Sequence, residues 1–265
     1  MGTVITFANQ QGGVGKTTLA TQFAYFLRLE RQAKVLFLDL DCHSCATDTL
    51  LRDEPLPLNK TAFHELFDPN LDKIQIQETT LGIDLIGSRY CPEAAETQAT
   101  PLAQLQYPIR HLKPLIENYD YIVIDCPPSI GPHLILARSL TDYLVVPVRL
   151  SGHLVKSLQT LYVFLETIPE ITTKICPVGI AINEYQDTAT QRSLLTTLEE
   201  TFPEAIFRQK IRYHSTIDLA SRGDPICQID NGKAAEKELY ALFREILRKL
   251  PSSLCESFVG SVLNK

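Results

Sequence analysis

Short apolar runs alternate with segments of helical period along most of the chain. The apolar runs are nearly continuous, which is typical of β-strands that are covered on both faces. They predict strands over residues 3–8, 34–40, 83–86, 121–124, 143–148 and 178–182. The segments of helical period predict helices over residues 17–29, 104–119, 154–167, 190–202 and 233–250. Strands that alternate with helices form βαβ units, so the pattern predicts an α/β fold with a mainly parallel central sheet and helices on both faces.

The chain is expected to fold as a single domain over residues 1–250, followed by a short C-terminal tail over 251–265. Its 265 residues are 45% hydrophobic and 21% charged, a composition that excludes disordered, collagen-like and coiled-coil proteins. No apolar stretch is long enough to cross a membrane, and the first residues lack the features of a signal peptide. The sequence therefore predicts a cytoplasmic protein.

A glycine-rich loop between the first predicted strand and the first predicted helix carries the strongest chemical signal. Residues 12–18 read GGVGKTT, close to the phosphate-binding pattern GxxxxGK[ST], although Asn9 or Gln10 stands where that pattern begins with glycine. Glycines let backbone N–H groups approach phosphate oxygens, and the positive end of the next helix points at the same oxygens. Lys16 is then expected to reach the β- and γ-phosphates, and the Thr17 hydroxyl to bind Mg²⁺. Together with the fold class, the loop predicts a three-layer P-loop NTPase.

Acidic residues end two of the buried strands beside this loop. Asp39 and Asp41 follow the second strand, and Asp125 ends the strand over 121–124. Because ligands of parallel sheets bind at the carboxyl ends of the strands, these acids should face the same crevice as the loop. We expect Thr17, Asp39 and Asp125 to hold the metal ion, with Asp125 reaching it through water.

With these motifs the chain resembles the ParA/MinD-type deviant Walker A ATPases, over about residues 3–249. The segments that carry the resemblance are the 12–18 loop, DLD at 39–41, DCPPS at 125–129, VVPV at 145–148 and SRGDPI at 221–226. The resemblance implies an ATP-dependent sandwich dimer, in which two subunits face each other across two nucleotides. It also implies that Asp41 orients the attacking water and that Asn183 and Pro225 lie beside the adenine. The ATP-binding residues expected on this basis are Gln11, Gly12, Gly13, Val14, Gly15, Lys16, Thr17, Thr18, Asn183 and Pro225.

The chain departs from this family at three places. Gln11 stands where the family usually has a lysine that crosses the dimer to the partner's phosphate, and glutamine brings no charge to stabilise the phosphoryl transition state. The usual Asp-Pro-Gln is Asp-Cys-His here, at residues 41–43, and residues 149–156 replace a segment that commonly carries acids. Lys156 is expected to supply the missing cation, a swap similar to that in the carboxysome-distribution ATPases (McdA) of cyanobacteria; a solvated surface lysine is the alternative. The expected catalytic residues are therefore Lys16, Asp41 and Lys156.

The seven cysteines are an odd number in a chain without a secretion pattern, so disulfides are not expected. Cys42 and Cys45 form a C-x-x-C that could serve metal or redox chemistry. No second pair follows at zinc spacing, so neither use is the favoured interpretation. An electron-transfer ATPase of the nitrogenase iron protein type is disfavoured, because Cys126 directly follows Asp125 and this is not the spacing of its cluster cysteine.

The expected function is that of a positioning ATPase whose ATP-bound dimer coats nucleoid DNA. Residues 204–249 hold nine Lys/Arg and seven Asp/Glu, a net charge of +2, whereas the whole chain carries −6. Four cations in this segment could contact DNA phosphates without reading bases. They are Arg208, Lys210, Arg212 and Arg222. The protein is accordingly expected to be associated with the nucleoid in the cytoplasm.

A partner protein on the cargo is expected to trigger hydrolysis. A carboxysome reached through an McdB-like adaptor is the favoured cargo, and plasmid or chromosome partition with a ParB-like partner stays open. A MinD-like membrane-associated regulator is disfavoured, because residues 255–265 hold too few bulky apolar side chains for a membrane-binding helix. A nucleotide-binding adaptor without activity is the remaining alternative, because Gln11 replaces the usual lysine.

Overall fold

A single seven-stranded sheet forms the centre of the computed structural model, which describes residues 2–90, 102–129, 131–152, 154–167 and 176–250. The strands are β1 (Thr3–Phe7), β2 (Val35–Asp39), β3 (Gln77–Glu78), β4 (Asp84–Ile86), β5 (Tyr121–Asp125), β6 (Tyr143–Val148) and β7 (Cys176–Ile182). They lie in the order β3-β4-β2-β5-β1-β6-β7, and each neighbouring pair is parallel except β3 and β4. The predicted α/β class with a mainly parallel sheet is confirmed.

Helices cover both faces of this sheet. In the described part of the chain they are α1 (Lys16–Glu30), α2 (Cys45–Leu51), α3 (Gln106–Ile116), α4 (Pro132–Leu140), α5 (Leu154–Thr167), α6 (Ala189–Thr201), α7 (Ser215–Ala220) and α8 (Lys233–Lys249). The five predicted helices are present. The one expected over 104–119 is shorter, because it begins with a 3₁₀ turn at Leu102–Leu105 and ends at Ile116. None of the described helices is long and apolar enough to cross a membrane.

The central strands send alternate side chains into two separate cores. In β5, Ile122 and Ile124 enter the core beneath α3, α4 and α5, whereas Val123 enters the core beneath α1 and α8. Both faces of each central strand are therefore buried, and this burial explains why the strands read as continuous apolar runs. The division into one domain over 1–250 and a tail over 251–265 stays a prediction, since the tail lies outside the described residues.

Aromatic contacts between α1 and α8 stabilise the second core. The ring centroids of Phe23 and Phe243 are 5.2 Å apart, and those of Phe26 and Tyr240 are 4.9 Å apart, both in edge-on arrangements that aromatic pairs favour. The helix that leaves the glycine-rich loop is thereby held against the C-terminal helix.

Strand register brings three strand ends to the same level at one edge of the sheet. Phe7 at the end of β1 and Asp39 at the end of β2 both pair with Asp125 at the end of β5. The loops that follow these strands consequently meet at this edge, where ligands of parallel sheets bind.

Candidate nucleotide site

A cavity of about 490 Å³ opens between the loop after β1 and the ends of β2 and β5. Seven of the predicted site residues line it: Gly12, Gly13, Gly15, Lys16, Thr17, Thr18 and Asp41. The other lining residues are Cys45, Asp48, Thr49, Asp53, Pro128 and Ser221. The structure therefore brings the predicted phosphate loop and the predicted water-orienting acid together, as the strand order requires.

Gly15 shows why this loop needs glycine. It caps the N-terminus of α1 with φ of 88°, in the left-handed region that other residues rarely adopt. A Cβ atom at this position would also collide with the side-chain amide of Asn183. The conformation turns the loop into α1 and aims the positive end of the helix at the cavity.

Two asparagines anchor the loop to the neighbouring strands β6 and β7. Asn9 donates through Nδ2 to the Pro147 carbonyl at 2.7 Å, and its Oδ1 accepts from the Gln11 backbone at 3.0 Å. Asn183, which follows β7, donates through Nδ2 to the Val14 carbonyl at 3.1 Å. Asn183 therefore anchors the loop backbone through its amide nitrogen, and its predicted place beside the adenine stays a prediction.

The Lys16 side chain folds over the loop that precedes it. Its ammonium donates to the Gln11 carbonyl at 3.1 Å, and the residue is only 7% exposed. Burial lowers the pKa of this ammonium, while the carboxylates of Asp125 and Asp41 oppose the shift. The Lys16 ammonium and the carboxylates of Asp125 and Asp41 are therefore close enough to interact electrostatically.

Asp125 offers one oxygen for a metal ion. Its Oδ2 accepts from the Thr17 hydroxyl at 2.6 Å, whereas its Oδ1 is buried and has no hydrogen-bond partner among the described residues. Burial, reinforced by the Asp39 carboxylate, raises the pKa of Asp125 well above its ordinary value. A buried carboxylate oxygen without a donor, next to a hydroxyl, fits the oxygen ligands that Mg²⁺ prefers.

Asp39 is placed differently from the prediction that it holds the metal ion. It is fully buried, its Oδ1 accepts from the Asp41 backbone at 3.1 Å, and its Oδ2 accepts from the backbone and the hydroxyl of Thr47 at 2.9 and 2.7 Å. Burial raises the pKa of Asp39 to about 7, although these hydrogen bonds act in the opposite direction. In this arrangement the carboxylate fixes the segment from 41 to 47, and both oxygens already have protein donors.

Asp41 lies at the wall of the cavity and is held by the residue two positions later. Its Oδ1 accepts from the His43 backbone and from the His43 ring nitrogen Nδ1, both at 3.0 Å. The His43 side chain itself is 44% exposed. These two contacts hold the Asp41 carboxylate in place through its Oδ1 atom.

The loop before α5 and the start of α5 pack against the glycine-rich loop. The Gln11 amide donates to the Ser151 hydroxyl at 3.4 Å, and the Ser157 hydroxyl donates to Asn9 at the same distance. Lys156 is exposed on the first turn of this helix, one position before Ser157. The structure thus places Lys156 at the surface of α5, which contacts the glycine-rich loop at Asn9.

A smaller cavity of about 180 Å³ lies on the β7 side of the loop. It is lined by Gly13, Gly15, Thr18, Asn183, Glu184, Arg212, Tyr213, His214, Ile217 and Asp218. Pro225, predicted beside the adenine, lines neither of the two cavities. Instead, Gln22 of α1 holds the neighbouring backbone, since it donates to the Asp224 carbonyl at 3.1 Å and accepts from Ile226 at 2.8 Å.

The comparisons with known proteins decide the family. Residues 2–177 match the family model described as an AAA domain. The Bacillus subtilis sporulation initiation inhibitor protein Soj is 27% identical over 253 residues, which are 93% of this chain and 98% of Soj. The Myxococcus xanthus cell division protein PomZ is 28% identical over 92% of this chain and 77% of its own length. This chain belongs to the ParA/MinD-type ATPases.

Solved structures show the same fold for this ParA/MinD-type chain. A Cyanothece McdA variant in complex with ATP has a TM-score of 0.78 at 20% identity, over 94% of this chain and 96% of that one. A putative plasmid partition protein from Borrelia burgdorferi bound to AMPPNP has a TM-score of 0.72 at 24% identity, over 92% and 98%. At these identities the likeness supports the fold alone.

The four cations predicted to contact DNA lie on two segments of the ParA/MinD-type fold. Arg208 and Arg212 flank a segment that runs beside β7, whereas Arg222 is exposed beyond the C-terminus of α7. Arg212 is engaged by Glu238 of α8 at 2.6 Å, and the Lys210 ammonium lies 6.0 Å from the centre of the Tyr185 ring.

Sequence reasoning missed three residues that shape the site. Asn9 and Gln22 hold backbone groups through long-range hydrogen bonds, and no local pattern marks such contacts. Arg149 donates to the Gly13 carbonyl at 3.4 Å and pairs with Glu184 at 2.8 Å. Arg149 directly follows the end of β6, at the edge of the sheet where ligands bind. A cation at such a position is the sequence signal that could have identified it.

Proposed function

We propose that this protein is a positioning ATPase. In this proposal ATP-bound chains form a sandwich dimer that binds nucleoid DNA without sequence preference and distributes a cargo through an adaptor that stimulates hydrolysis. The observation that carries it is the convergence of Lys16, Thr17 and Asp41 on one cavity, with Asp125 hydrogen-bonded to Thr17, in a chain of the ParA/MinD-type family. Membership of the family does not by itself establish ATP hydrolysis. The arrangement of the phosphate-binding residues around the cavity supports it.

The site residues fit ATP and Mg²⁺. The backbone N–H groups of the 12–15 loop and the Lys16 ammonium would bind the phosphates. Thr17 and Asp125 would hold Mg²⁺, which supplies positive charge to the phosphate oxygens when it is bound. Asn183 and the smaller cavity beside Gly15 offer room on the other side of the loop for the base.

Asp41 is the residue we assign to the attacking water. Its carboxylate borders the cavity, and His43 holds only the Oδ1 atom, so Oδ2 can accept a hydrogen bond from water. An oriented water in line with the γ-phosphate is what hydrolysis requires in P-loop enzymes. Rotation of the Asp41 carboxylate would misalign the water. We therefore expect the two hydrogen bonds from His43 to support turnover.

Lys156 is the cation that we propose acts across the dimer in place of Gln11. The Gln11 side chain brings no charge, and Arg149 beside the loop is already paired with Glu184. Lys156 is exposed on α5, the helix that contacts the glycine-rich loop through Ser157, so its ammonium can reach outwards to a facing subunit. A second cation spreads the charge of the transferred phosphoryl group, as arginine fingers do in related enzymes.

The cargo we favour is a carboxysome, and plasmid or chromosome partition is the second candidate. The replaced lysine at Gln11 supports the first. The relationships to Soj and to the Myxococcus xanthus chromosome partitioning protein ParA support the second. The neighbouring gene separates them: a small adaptor gene beside carboxysome shell genes supports the first, and a gene for a centromere-binding partner supports the second.

DNA binding is tested by fluorescence anisotropy on random and defined duplexes with ATP and Mg²⁺. We expect binding that requires ATP and weakens with salt, with a log–log slope of about −4 to −5 for about five phosphate contacts. Arg222→Glu should weaken binding equally on both duplexes, whereas Lys113→Glu on α3, outside the basic segment, should not. A clear sequence preference, or binding to anionic vesicles in place of DNA, would contradict the nucleoid proposal; the second result would favour the MinD-like alternative.

A further inference from the structure

Three consecutive side chains after β2 place three different metal-binding atoms close together. They are an oxygen of Asp41, the Sγ of Cys42 and a ring nitrogen of His43, all within 4.8 Å of one another. The His43 Nδ1 is 3.0 Å from Asp41 Oδ1 and 3.9 Å from Cys42 Sγ. The family pattern Asp-Pro-Gln, to which the chain is compared, would offer neither the sulfur nor the nitrogen.

These separations suit a tetrahedral ion. With bonds of about 2.0–2.3 Å to nitrogen, oxygen and sulfur, neighbouring ligands of zinc lie about 3.3–3.8 Å apart. The two distances that involve His43, 3.0 and 3.9 Å, lie on either side of that range, and the Asp41 oxygen and the Cys42 sulfur lie within 4.8 Å, so side-chain rotations would bring the three atoms around one ion. A sulfur and an imidazole select zinc-class ions, whereas Mg²⁺ prefers oxygen ligands and near-octahedral geometry.

We propose that Asp41, Cys42 and His43 bind a zinc-class ion, and that the bound ion removes Asp41 from hydrolysis. On binding, the Cys42 thiol releases its proton to solvent, and the ion bonds to the thiolate, to the His43 nitrogen and to the Asp41 carboxylate. The half-exposed His43 gives the ion access from solvent. This site is separate from the Mg²⁺ position, which uses Thr17 and Asp125.

The inhibitory part rests on the proposed function, because it uses the role assigned to Asp41. The coordinated carboxylate can no longer orient water, whereas the phosphate loop and Lys16 are unaffected. Zinc should therefore lower the turnover of ATP without lowering the affinity for ATP. The ATPase would then respond to free zinc at its catalytic acid.

Cobalt titration tests the metal site without any measurement of activity. In excess Mg²⁺, Co²⁺ should give a thiolate-to-cobalt charge-transfer band that saturates at one ion per chain. Cys42→Ser should lose the band, and the matched control Cys227→Ser, which removes an exposed cysteine elsewhere, should keep it. Because Cys42 is buried, His43→Gln is the second variant; it should lower zinc affinity by at least about tenfold, since even outer partners of a metal contribute about 10–100-fold. An unchanged band in Cys42→Ser, or unchanged affinity in His43→Gln, would overturn the site.

The activity arm separates the two claims. Zinc should reduce wild-type turnover and should reduce the turnover of Cys42→Ser much less, each compared with its own metal-free rate. Metal binding through Cys42 and His43 with no fall in turnover would overturn the inhibitory role. A protein that hydrolyses no ATP even without zinc would contradict the proposed function, and the cobalt result would still decide the metal site.

Discussion

Lys16 and Asp41 lie in one cavity, yet the account gives them different tasks. Lys16→Ala should weaken ATP binding by about 10–100-fold, because a charge-assisted hydrogen bond contributes about 1.5–3 kcal/mol. Asp41→Ala should keep the affinity within about threefold and lower turnover by at least about 100-fold, because only the orientation of the water is lost. Calorimetry gives the affinities and phosphate release gives the rates. Equal loss of ATP binding in both variants would show that the assignment of roles is wrong.

Gly15 offers a second test at the scale of single residues. Gly15→Ala should lower the free energy of unfolding by about 1–3 kcal/mol, because alanine is strained at positive φ and its Cβ meets the Asn183 amide. Gly12→Ala is the matched control, since a Cβ at Gly12 would meet no atom within 4 Å. Urea unfolding measures both. Equal stability of the two variants would contradict the geometry of the loop.

Some residue roles could be predicted from the sequence and others could not. The 12–18 loop was predictable because its spacing alone places glycines, a lysine and a hydroxyl at a helix start. The contacts of Asp39 with Thr47 and of Asn183 with Val14 were not, because each depends on a neighbour that only the folded sheet supplies. The predicted contact of Pro225 with the adenine likewise depends on the folded arrangement, which no local sequence pattern specifies.

At the scale of elements, α8 does more than cover the second core. Glu238 accepts from the Arg212 backbone at 2.9 Å and from His214 at 3.0 Å, and Glu245 accepts from the Arg208 backbone at 2.9 Å. Two acids of one helix thus anchor the segment that runs beside β7 and borders the smaller cavity. Basic residues there were predicted to contact DNA, which stays a prediction, and one of them, Arg212, is paired with Glu238.

The anchoring by Glu238 predicts a pH-dependent contribution to stability. Burial acts to raise the pKa of Glu238, but the hydrogen bonds from Arg212 and His214 outweigh it and hold the pKa below the ordinary 4.5. Because the folded pKa is depressed, the stabilisation is present above pH 4.5 and is lost as the pH falls through the folded pKa. Glu238→Gln should therefore cost about 1–3 kcal/mol near neutral pH.

Urea unfolding at several pH values measures this contribution. The difference between wild type and Glu238→Gln should shrink as the pH falls below the ordinary glutamate range. Glu236→Gln on the same helix is the control and should change stability little at any pH. A Glu238→Gln difference that stays constant with pH would contradict the charged interaction.

Element prediction succeeded where the pattern was long or fully buried. The strand over 143–148 and the helix over 154–167 have their predicted bounds, because continuous burial and a long helical period leave few alternatives. The short helices α2, α4 and α7, of 7, 9 and 6 residues, were missed, and so was β3 with two residues. Elements this short carry too few periodic positions, and tertiary contacts decide whether they form.

At the scale of the whole molecule, the proposed hydrolysis depends on two chains. In the proposed mechanism a single chain supplies a phosphate loop, an acid that orients water and a site for Mg²⁺, while Gln11 leaves the phosphoryl group without a second cation. In a symmetric dimer each subunit offers the same face, so Lys156 of one chain would complete the site of the other. Lys156→Ala should therefore keep ATP binding by the monomer but lose the ATP-induced dimer and most turnover.

Complementation between two inactive variants tests this central claim most directly. Asp41→Ala and Lys156→Ala are each assayed for turnover alone and after mixing in equal amounts. If Lys156 acts across the dimer, a mixed dimer contains one site with both an intact Asp41 and an intact Lys156. Where one intact Lys156 is enough to hold a mixed dimer, at most half of the dimers are mixed and one of their two sites is competent, so turnover should recover to at most about a quarter of the wild-type rate. A mixture that stays as inactive as its components, or a Lys156→Ala protein with normal turnover alone, would contradict the account.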